Sequence, residues 1–167
     1  MKIRTDFVTN SSSSSFITAK ITSPMLADIL NRLKEQLEDP PLLEGEEREQ
    51  AVWDYHNSGL DEFFRVDGQT VYLESDTGGD TGAPSNIDRL GFAVYEAIRG
   101  CTEDYDFEGC EIDVIDELCD RWSEIAESTT RVEWECGRVD NGEFGSGFAR
   151  EEFAFNRKTG ESNYHRS

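Results

Sequence analysis

The chain has 167 residues, an aromatic content of 11% and a formal net charge of −20. This fits one folded domain and excludes non-specific binding to nucleic acid or to an anionic membrane as a default activity. No apolar run approaches the roughly 18 residues of a membrane span, and the polar start MKIRTDFVTN does not match a secretory signal, so we expect a cytoplasmic protein with reduced cysteines.

The first 15 residues are predicted to form a serine-rich N-terminal arm, which ends in the run Ser11 to Ser15. The string IRTDFVTNSSSSSFI, residues 3–17, resembles a lead segment of otherwise dissimilar bacterial and mobile-element proteins. This resemblance implies a phage or mobile-element origin and carries no activity with it. The serine hydroxyls and amides can form a turn, accept a modification or contact an anion. The alternative is a flexible polar spacer.

The first half of the domain is predicted to contain a strand, two helices and a hairpin. Apolar residues alternate with polar ones over 17–21, which indicates a strand. The serine–proline pair at 23–24 is typical of a helix start, and the Asp-Pro-Pro sequence at 39–41 ends this helix. A second helix is predicted over 44–56. The Asp-Gly pair within 63–73 predicts a tight hairpin turn.

The second half of the domain is predicted to contain two helices followed by a hairpin. One helix begins near residue 85 and ends at Gly100, and the other covers about 110–127. Strict alternation over 130–136 and an apolar segment over 148–155 predict two antiparallel strands. The inner face of the 110–127 helix is predicted to be Ile112, Ile115, Leu118, Cys119, Trp122 and Ile125.

This order of elements predicts an α+β fold with two layers. Local hairpins favour a mainly antiparallel sheet of about five strands, with three to four helices on one face. We assign residues 16–160 to a single domain and residues 161–167 to a C-terminal tail.

An acidic loop between the last two helices resembles the front half of an EF-hand. Asp104, Asp106 and Glu108 alternate before a glycine, as do the oxygen ligands of a Ca²⁺ loop. The position of the closing bidentate acid is occupied by Ile115. A Ca²⁺-binding module is therefore one hypothesis, and an acidic linker that complements the next helix N-terminus is the alternative.

No pattern of catalytic residues emerges from the chain. The only histidines are His56 and His165, and the four cysteines lack the C-x-x-C spacing of a metal site. Carboxylate pairs for acid–base catalysis cannot be selected among 36 acidic residues. We therefore expect a non-enzymatic protein without a cofactor other than Ca²⁺.

The negative charge is concentrated in one part of the chain. Residues 101–128 hold eleven acidic residues and one base, Arg121. On the predicted helix, acids at steps of three or four form an outward stripe. The members of this stripe are Asp113, Asp116, Glu117, Asp120, Glu124 and Glu127.

Two interpretations of the stripe are open. A row of carboxylates can mimic a phosphate backbone and occlude a basic, nucleic-acid-binding partner. Binding of such a partner to phosphates is favoured by the release of condensed counterions, and the same release would favour its binding to a row of carboxylates. The alternative is a solvated helix face without a partner. Our leading hypothesis is a small acidic inhibitor of such a partner, which contacts neither nucleic acid nor membrane itself. A regulatory or modified protein that acts through the serine-rich arm is a further alternative.

Overall fold

The computed structural model describes residues 13–76, 82–102, 105, 107–142 and 145–167. Six strands lie in this part of the chain: β1 (Ser13–Thr22), β2 (Phe64–Asp67), β3 (Thr70–Ser75), β4 (Arg131–Gly142), β5 (Gly145–Asn156) and β6 (Glu161–Arg166). They form one sheet in the order β2-β3-β1-β4-β5-β6, and every neighbouring pair is antiparallel.

The same described residues form six helices and a single 3₁₀ turn over Ile87–Arg89. The helices are α1 (Pro24–Glu38), α2 (Gly45–Ser58), α3 (Leu60–Phe63), α4 (Leu90–Cys101), α5 (Val114–Asp120) and α6 (Trp122–Ser128). The predicted α+β class is therefore confirmed, with one more strand and more helices than the sequence indicated.

The hydrophobic core lies between the helices and one face of the sheet. Alternate residues of each central strand point into it, as the twofold period of a strand requires. From the sheet these are Ile17, Ala19, Ile21, Val71, Leu73, Val132, Trp134, Cys136, Phe153 and Phe155. Helix α1 adds its apolar stripe, Leu26, Ile29, Leu30, Leu33 and Leu37.

The start of α1 confirms the predicted cap. The Ser23 hydroxyl accepts a hydrogen bond from the Leu26 amide at 3.3 Å, and Pro24 occupies the first helical position. Ser23 is itself fully buried and its hydroxyl lies 2.8 Å from that of Ser128. The cap therefore also joins the start of α1 to the end of α6.

The predicted single helix over 110–127 is wrong, because the chain forms α5 and α6 with a break between them. Arg121 lies at φ −121° and ψ 22°, outside the helical region. Asp113 caps α5, so Ile112 is buried from a non-helical position. The buried positions of α5 are Val114 and Leu118, so Cys119, which was predicted to lie in the core, is exposed.

The segment 161–167, expected to be a tail, forms edge strand β6. Gly160 adopts φ +76° in the turn that precedes it, where a residue without Cβ is favoured. All six side chains of β6 are exposed, so no apolar alternation marks it in the sequence. Backbone pairing with β5 holds it in place, and Ser167 extends this pairing to Arg150.

The predicted arm of residues 1–15 is described only at its end. Ser13, Ser14 and Ser15 pair with residues 138–140 of β4, so the serine run leads directly into strand β1. The rest of the arm, including Ser11 and Ser12, lies outside the described residues.

Candidate acidic interface

The six acids of the predicted stripe lie on α5, α6 and the residue before α5. Asp113, Asp116, Asp120, Glu124 and Glu127 are exposed, and the Glu117 side chain is 28% exposed. Because the helix breaks at Arg121, the six do not continue along one helix face. Their surroundings divide them into acids paired with arginine and acids without such a pair.

Glu117 is paired, and it joins two helices. Its carboxylate accepts two hydrogen bonds from the Arg32 guanidinium of α1, each 3.2 Å long, and a longer one of 3.5 Å from Arg121. The hydrogen bond from Arg32 is the main cause that lowers the pKa of Glu117 below its usual value. Such a fork-to-carboxylate contact fixes geometry as well as charge. Glu117 therefore contributes to the packing of α1 against α5.

Glu124 is also paired. The Arg121 Nε donates to its carboxylate at 2.7 Å across the start of α6. Arg121 thus places its charge between Glu117 and Glu124, and it compensates the two acids on either side of the helix break.

Three acids remain, and we call Asp113, Asp116 and Asp120 the α5 acidic row. None of them forms an ion pair with a described residue. The Asp113 carboxylate accepts a hydrogen bond from the Asp116 amide at 3.1 Å, as an N-cap does. The negative charge of Asp113, followed by slight desolvation and the charge of Asp120, raises the pKa of Asp116. This is the sign expected for adjacent carboxylates without a counterion.

The predicted Ca²⁺ loop lies largely outside the described residues, because Asp104 and Asp106 are both among the undescribed positions. Glu108 is exposed in a turn with Gly109 at φ +88°. Within the described ranges, no group of three or more His, Cys, Asp or Glu side chains is arranged to hold a metal ion. The Ca²⁺ module therefore remains a prediction, and titration with Ca²⁺ in a calorimeter tests it.

The four cysteines have raised pKa values. Burial raises the pKa of the Cys136 thiol to about 11 and is also the main cause of the raised values of Cys101 and Cys110. For exposed Cys119, residual desolvation comes first and the charges of Asp116 and Asp120 follow. These thiols are protonated at neutral pH, unlike the thiolate of a nucleophilic cysteine.

The face of the sheet away from the helices carries a concave region of about 550 Å³ that sequence reasoning missed. We call it the open sheet face. Register places Glu135, Glu152 and His165 side by side across β4, β5 and β6. Arg150 pairs with both Glu135 and Glu152, and Arg131 pairs with Glu133 at 2.9 Å. The sequence predicted the strand alternation and helices on one face of the sheet, but it predicted neither the concave region on the other face nor its ion pairs.

A group of partly exposed rings was also missed. Phe92, Tyr95 and Trp122, which we call the aromatic cluster, lie where α4 meets the start of α6. The Phe92 ring centroid is 5.6 Å from that of Trp122 and 6.1 Å from that of Tyr95. Phe92 is 42% exposed. The 3.6-residue period assigned Trp122 to the core, whereas its ring is only partly buried.

Among the described residues, no helix has the length and apolar character needed to cross a membrane. Comparison of the chain with protein-family models, curated proteins and solved structures gives no match.

Proposed function

We propose that this chain is a non-enzymatic binding protein that uses the α5 acidic row to occlude the basic surface of a nucleic-acid-binding protein. The observation that supports the proposal is the contrast within the stripe. Glu117 and Glu124 are paired with arginine, while Asp113, Asp116 and Asp120 are exposed and lack a described ionic partner.

The spacing of the row suits a polycationic surface. Steps of three and four residues separate the carboxylates by about 4.5–6 Å along the helix axis, at a rise of about 1.5 Å per residue. A partner that has evolved to bind phosphates would release condensed counterions on meeting such a row. Electrostatic attraction of this kind mainly accelerates association and selects basic partners.

The test uses the full chain and compares two triple variants. Asp113→Asn/Asp116→Asn/Asp120→Asn removes the charge of the row, and asparagine at 113 retains a favourable N-cap. The matched control, Glu46→Gln/Glu47→Gln/Glu49→Gln, removes three exposed acids from α2. Each chain is used to capture proteins from a bacterial lysate at low and high salt. The captured protein is then tested for release of its nucleic acid.

We expect the wild-type chain and the α2 control to displace nucleic acid from the captured protein at low salt. The α5 variant should be about tenfold weaker, since three exposed ionic contacts contribute about 0.5 kcal/mol each. Equal displacement by the two variants would refute the assignment to α5. Capture of no basic protein at low salt would refute the proposed function itself.

A further inference from the structure

Strand β6 forms one edge of the sheet, and its outer side is unpaired in the part of the chain that the structure describes. Ser167 and Arg150 exchange two backbone hydrogen bonds, of 2.9 and 3.2 Å, at the end of the β5–β6 pairing. In an antiparallel pair, residues that bond to the neighbouring strand alternate with residues whose N–H and C=O point away from it. Ser162, Tyr164 and Arg166 therefore direct their backbone groups outward, and no described residue bonds to these groups.

The opposite edge of the sheet is better protected. Strand β2 has only four residues, and the amide of its first residue, Phe64, donates to the Leu60 carbonyl of α3. A short edge strand and a covering helix are two ways in which proteins prevent unwanted strand pairing. Strand β6 has six residues, pairs with β5 without a bulge and has all its side chains exposed, so no described helix covers it. It is therefore the edge that is open to a further strand.

The outward groups of β6 match those of a second β6 that runs antiparallel to it about a twofold axis. In one register Tyr164 lies opposite its counterpart in the second copy, and Ser162 lies opposite Arg166. All three outward residues of each copy then exchange backbone hydrogen bonds. A shift by two residues in either direction places Arg166 or Ser162 opposite a residue outside β6, so that fewer bonds form.

Tyr164 is suited to the centre of such a contact. Its side chain is 40% exposed on a strand that is otherwise polar. The Tyr164 hydroxyl donates to the Glu151 carboxylate of β5 at 2.9 Å, which restrains the ring beside the sheet edge. Aromatic side chains at directly opposed strand positions stabilise the pairing of the strands. In the register centred on Tyr164, the two tyrosines occupy such positions.

The charge around β6 also favours this edge over the rest of the molecule. Residues 157–167 contain three bases and one acid, Glu161, whereas the whole chain has a formal net charge of −20. Two copies repel each other at long range because both are acidic. A contact through a segment that is not negative adds least to this repulsion.

We propose that two copies of this chain pair through β6 about a twofold axis, with Tyr164 at the axis, and so form one continuous sheet. Twofold contacts between identical surfaces are the commonest arrangement of homo-oligomers. Addition of a strand to an open edge provides affinity through main-chain hydrogen bonds. The inference does not depend on the proposed function, because none of its residues belongs to the α5 acidic row.

Sedimentation equilibrium of the full chain tests the proposal over a range of micromolar concentrations at low and high salt. Ser162→Pro removes an outward N–H and retains the hydrogen bonds to β5, as proline on an edge strand does. Tyr164→Lys places two positive charges opposite each other at the axis. The matched control, Thr159→Lys, adds the same charge in the exposed turn before β6. Thermal denaturation verifies that each variant is folded.

We expect the wild-type chain and Thr159→Lys to show a monomer–dimer equilibrium. The dimer should become more stable as the salt concentration rises, because salt screens the repulsion between two acidic copies. Ser162→Pro and Tyr164→Lys should each weaken the dimer about tenfold or more, since they remove hydrogen bonds or oppose like charges. A wild-type chain that stays monomeric at high salt, or a dimer that neither substitution weakens, would overturn the inference.

Disulfide formation tests the register. Single cysteines are introduced in a Cys119→Ser background, because Cys119 is the exposed cysteine of the chain. Tyr164→Cys should form a covalent dimer on mild oxidation, since opposed Cα atoms lie about 5.5 Å apart. Ser162→Cys alone should not, because its two copies are four residues apart along the strands, roughly 13 Å, but it should cross-link when mixed with Arg166→Cys. A covalent dimer of Ser162→Cys without one of Tyr164→Cys would refute the position of the axis.

Discussion

The α5 acidic row and the open sheet face carry similar side chains in opposite electrostatic states. On the sheet, Arg150 lies between Glu135 and Glu152, and Arg131 pairs with Glu133. On α5, the three aspartates have no described ionic partner, and the pKa of Asp116 is raised mainly by its neighbour Asp113. Among the described acids, those of the α5 acidic row therefore lack an ionic partner, whereas Glu133, Glu135 and Glu152 on the open sheet face each pair with an arginine.

The difference follows from the period of each element. In a strand, residues two apart share a face, so the sequences Arg131-x-Glu133 and Arg150-x-Glu152 place opposite charges side by side. In a helix, residues three and four apart share a face. The only base between 113 and 127 is Arg121, and it contacts Glu117 and Glu124. An acidic residue is therefore neutralised when a basic residue lies two positions away in a strand, or three or four positions away in a helix.

The largest loss of stability is expected when Arg150, which neutralises two acids of the sheet, is replaced. Arg150→Met keeps an apolar stem but leaves Glu135 and Glu152 directly opposite each other in the β4–β5 register. Like charges at opposed strand positions are destabilising. We expect the free energy of unfolding to fall by about 1–2 kcal/mol, measured by urea denaturation at pH 7.

A second change distinguishes charge from packing at this position. Glu135→Gln added to the Arg150→Met background removes one of the opposed charges and should restore about half of the lost stability. If the double variant is no more stable than Arg150→Met alone, the role of Arg150 is packing and the sheet face is not electrostatically balanced by it.

The sequence predicted those features that depend on neighbouring residues. The Ser23 cap and the alternation of β1 were recognised because each is encoded within a few positions. Strand β6 was missed since it has no apolar alternation and is held by backbone pairing with β5. The break at Arg121 was missed because apolar residues continue at helical spacing on both sides of it.

The sequence predicted which acidic residues form the candidate site, but not which of them are paired with arginine. The six acids of the stripe were identified from the sequence, and five of them are exposed. The contact between Glu117 and Arg32 joins residues 85 positions apart, so no local pattern could separate this paired acid from Asp116 beside it. The aromatic cluster also depends on the contact between α4 and α6.

A moderate effect is expected when the paired acid of α5 is neutralised. Glu117→Gln removes the charge-assisted hydrogen bonds with Arg32, and we expect a loss of about 0.5–1 kcal/mol at pH 7, because the pair is partly exposed. The folded-state pKa of Glu117 is lowered from its ordinary value of 4.5. Its stabilising contribution is therefore complete above pH 4.5 and is lost as the pH falls through the lower folded-state pKa.

Urea denaturation at several pH values between neutral and acid checks this prediction. The difference between wild type and Glu117→Gln should be greatest at neutral pH and should shrink under acid conditions. Glu127→Gln is the control, since Glu127 has no described ionic partner. A constant difference across the pH range would mean that the carboxylate charge of Glu117 does not contribute.

The smallest effect is expected for Asp116, which precedes Glu117, and here the substitution should stabilise the fold and not destabilise it. The pKa of Asp116 is raised above its ordinary value of 3.8, chiefly by Asp113, so its ionised form opposes folding. That penalty is complete above the folded-state pKa and is relieved as the pH falls toward the unfolded-state value. Asp116→Asn should therefore raise the melting temperature slightly at neutral pH.

Thermal denaturation at low and high salt measures this increase, which should diminish at high salt because screening weakens repulsion between exposed charges. Glu49→Gln, an exposed acid on α2, provides the control for the general loss of one negative charge. A decrease in the melting temperature of Asp116→Asn would show that Asp116 is already compensated in the folded chain. The α5 acidic row would then resemble the open sheet face, and it would have no unbalanced charge to offer a basic partner.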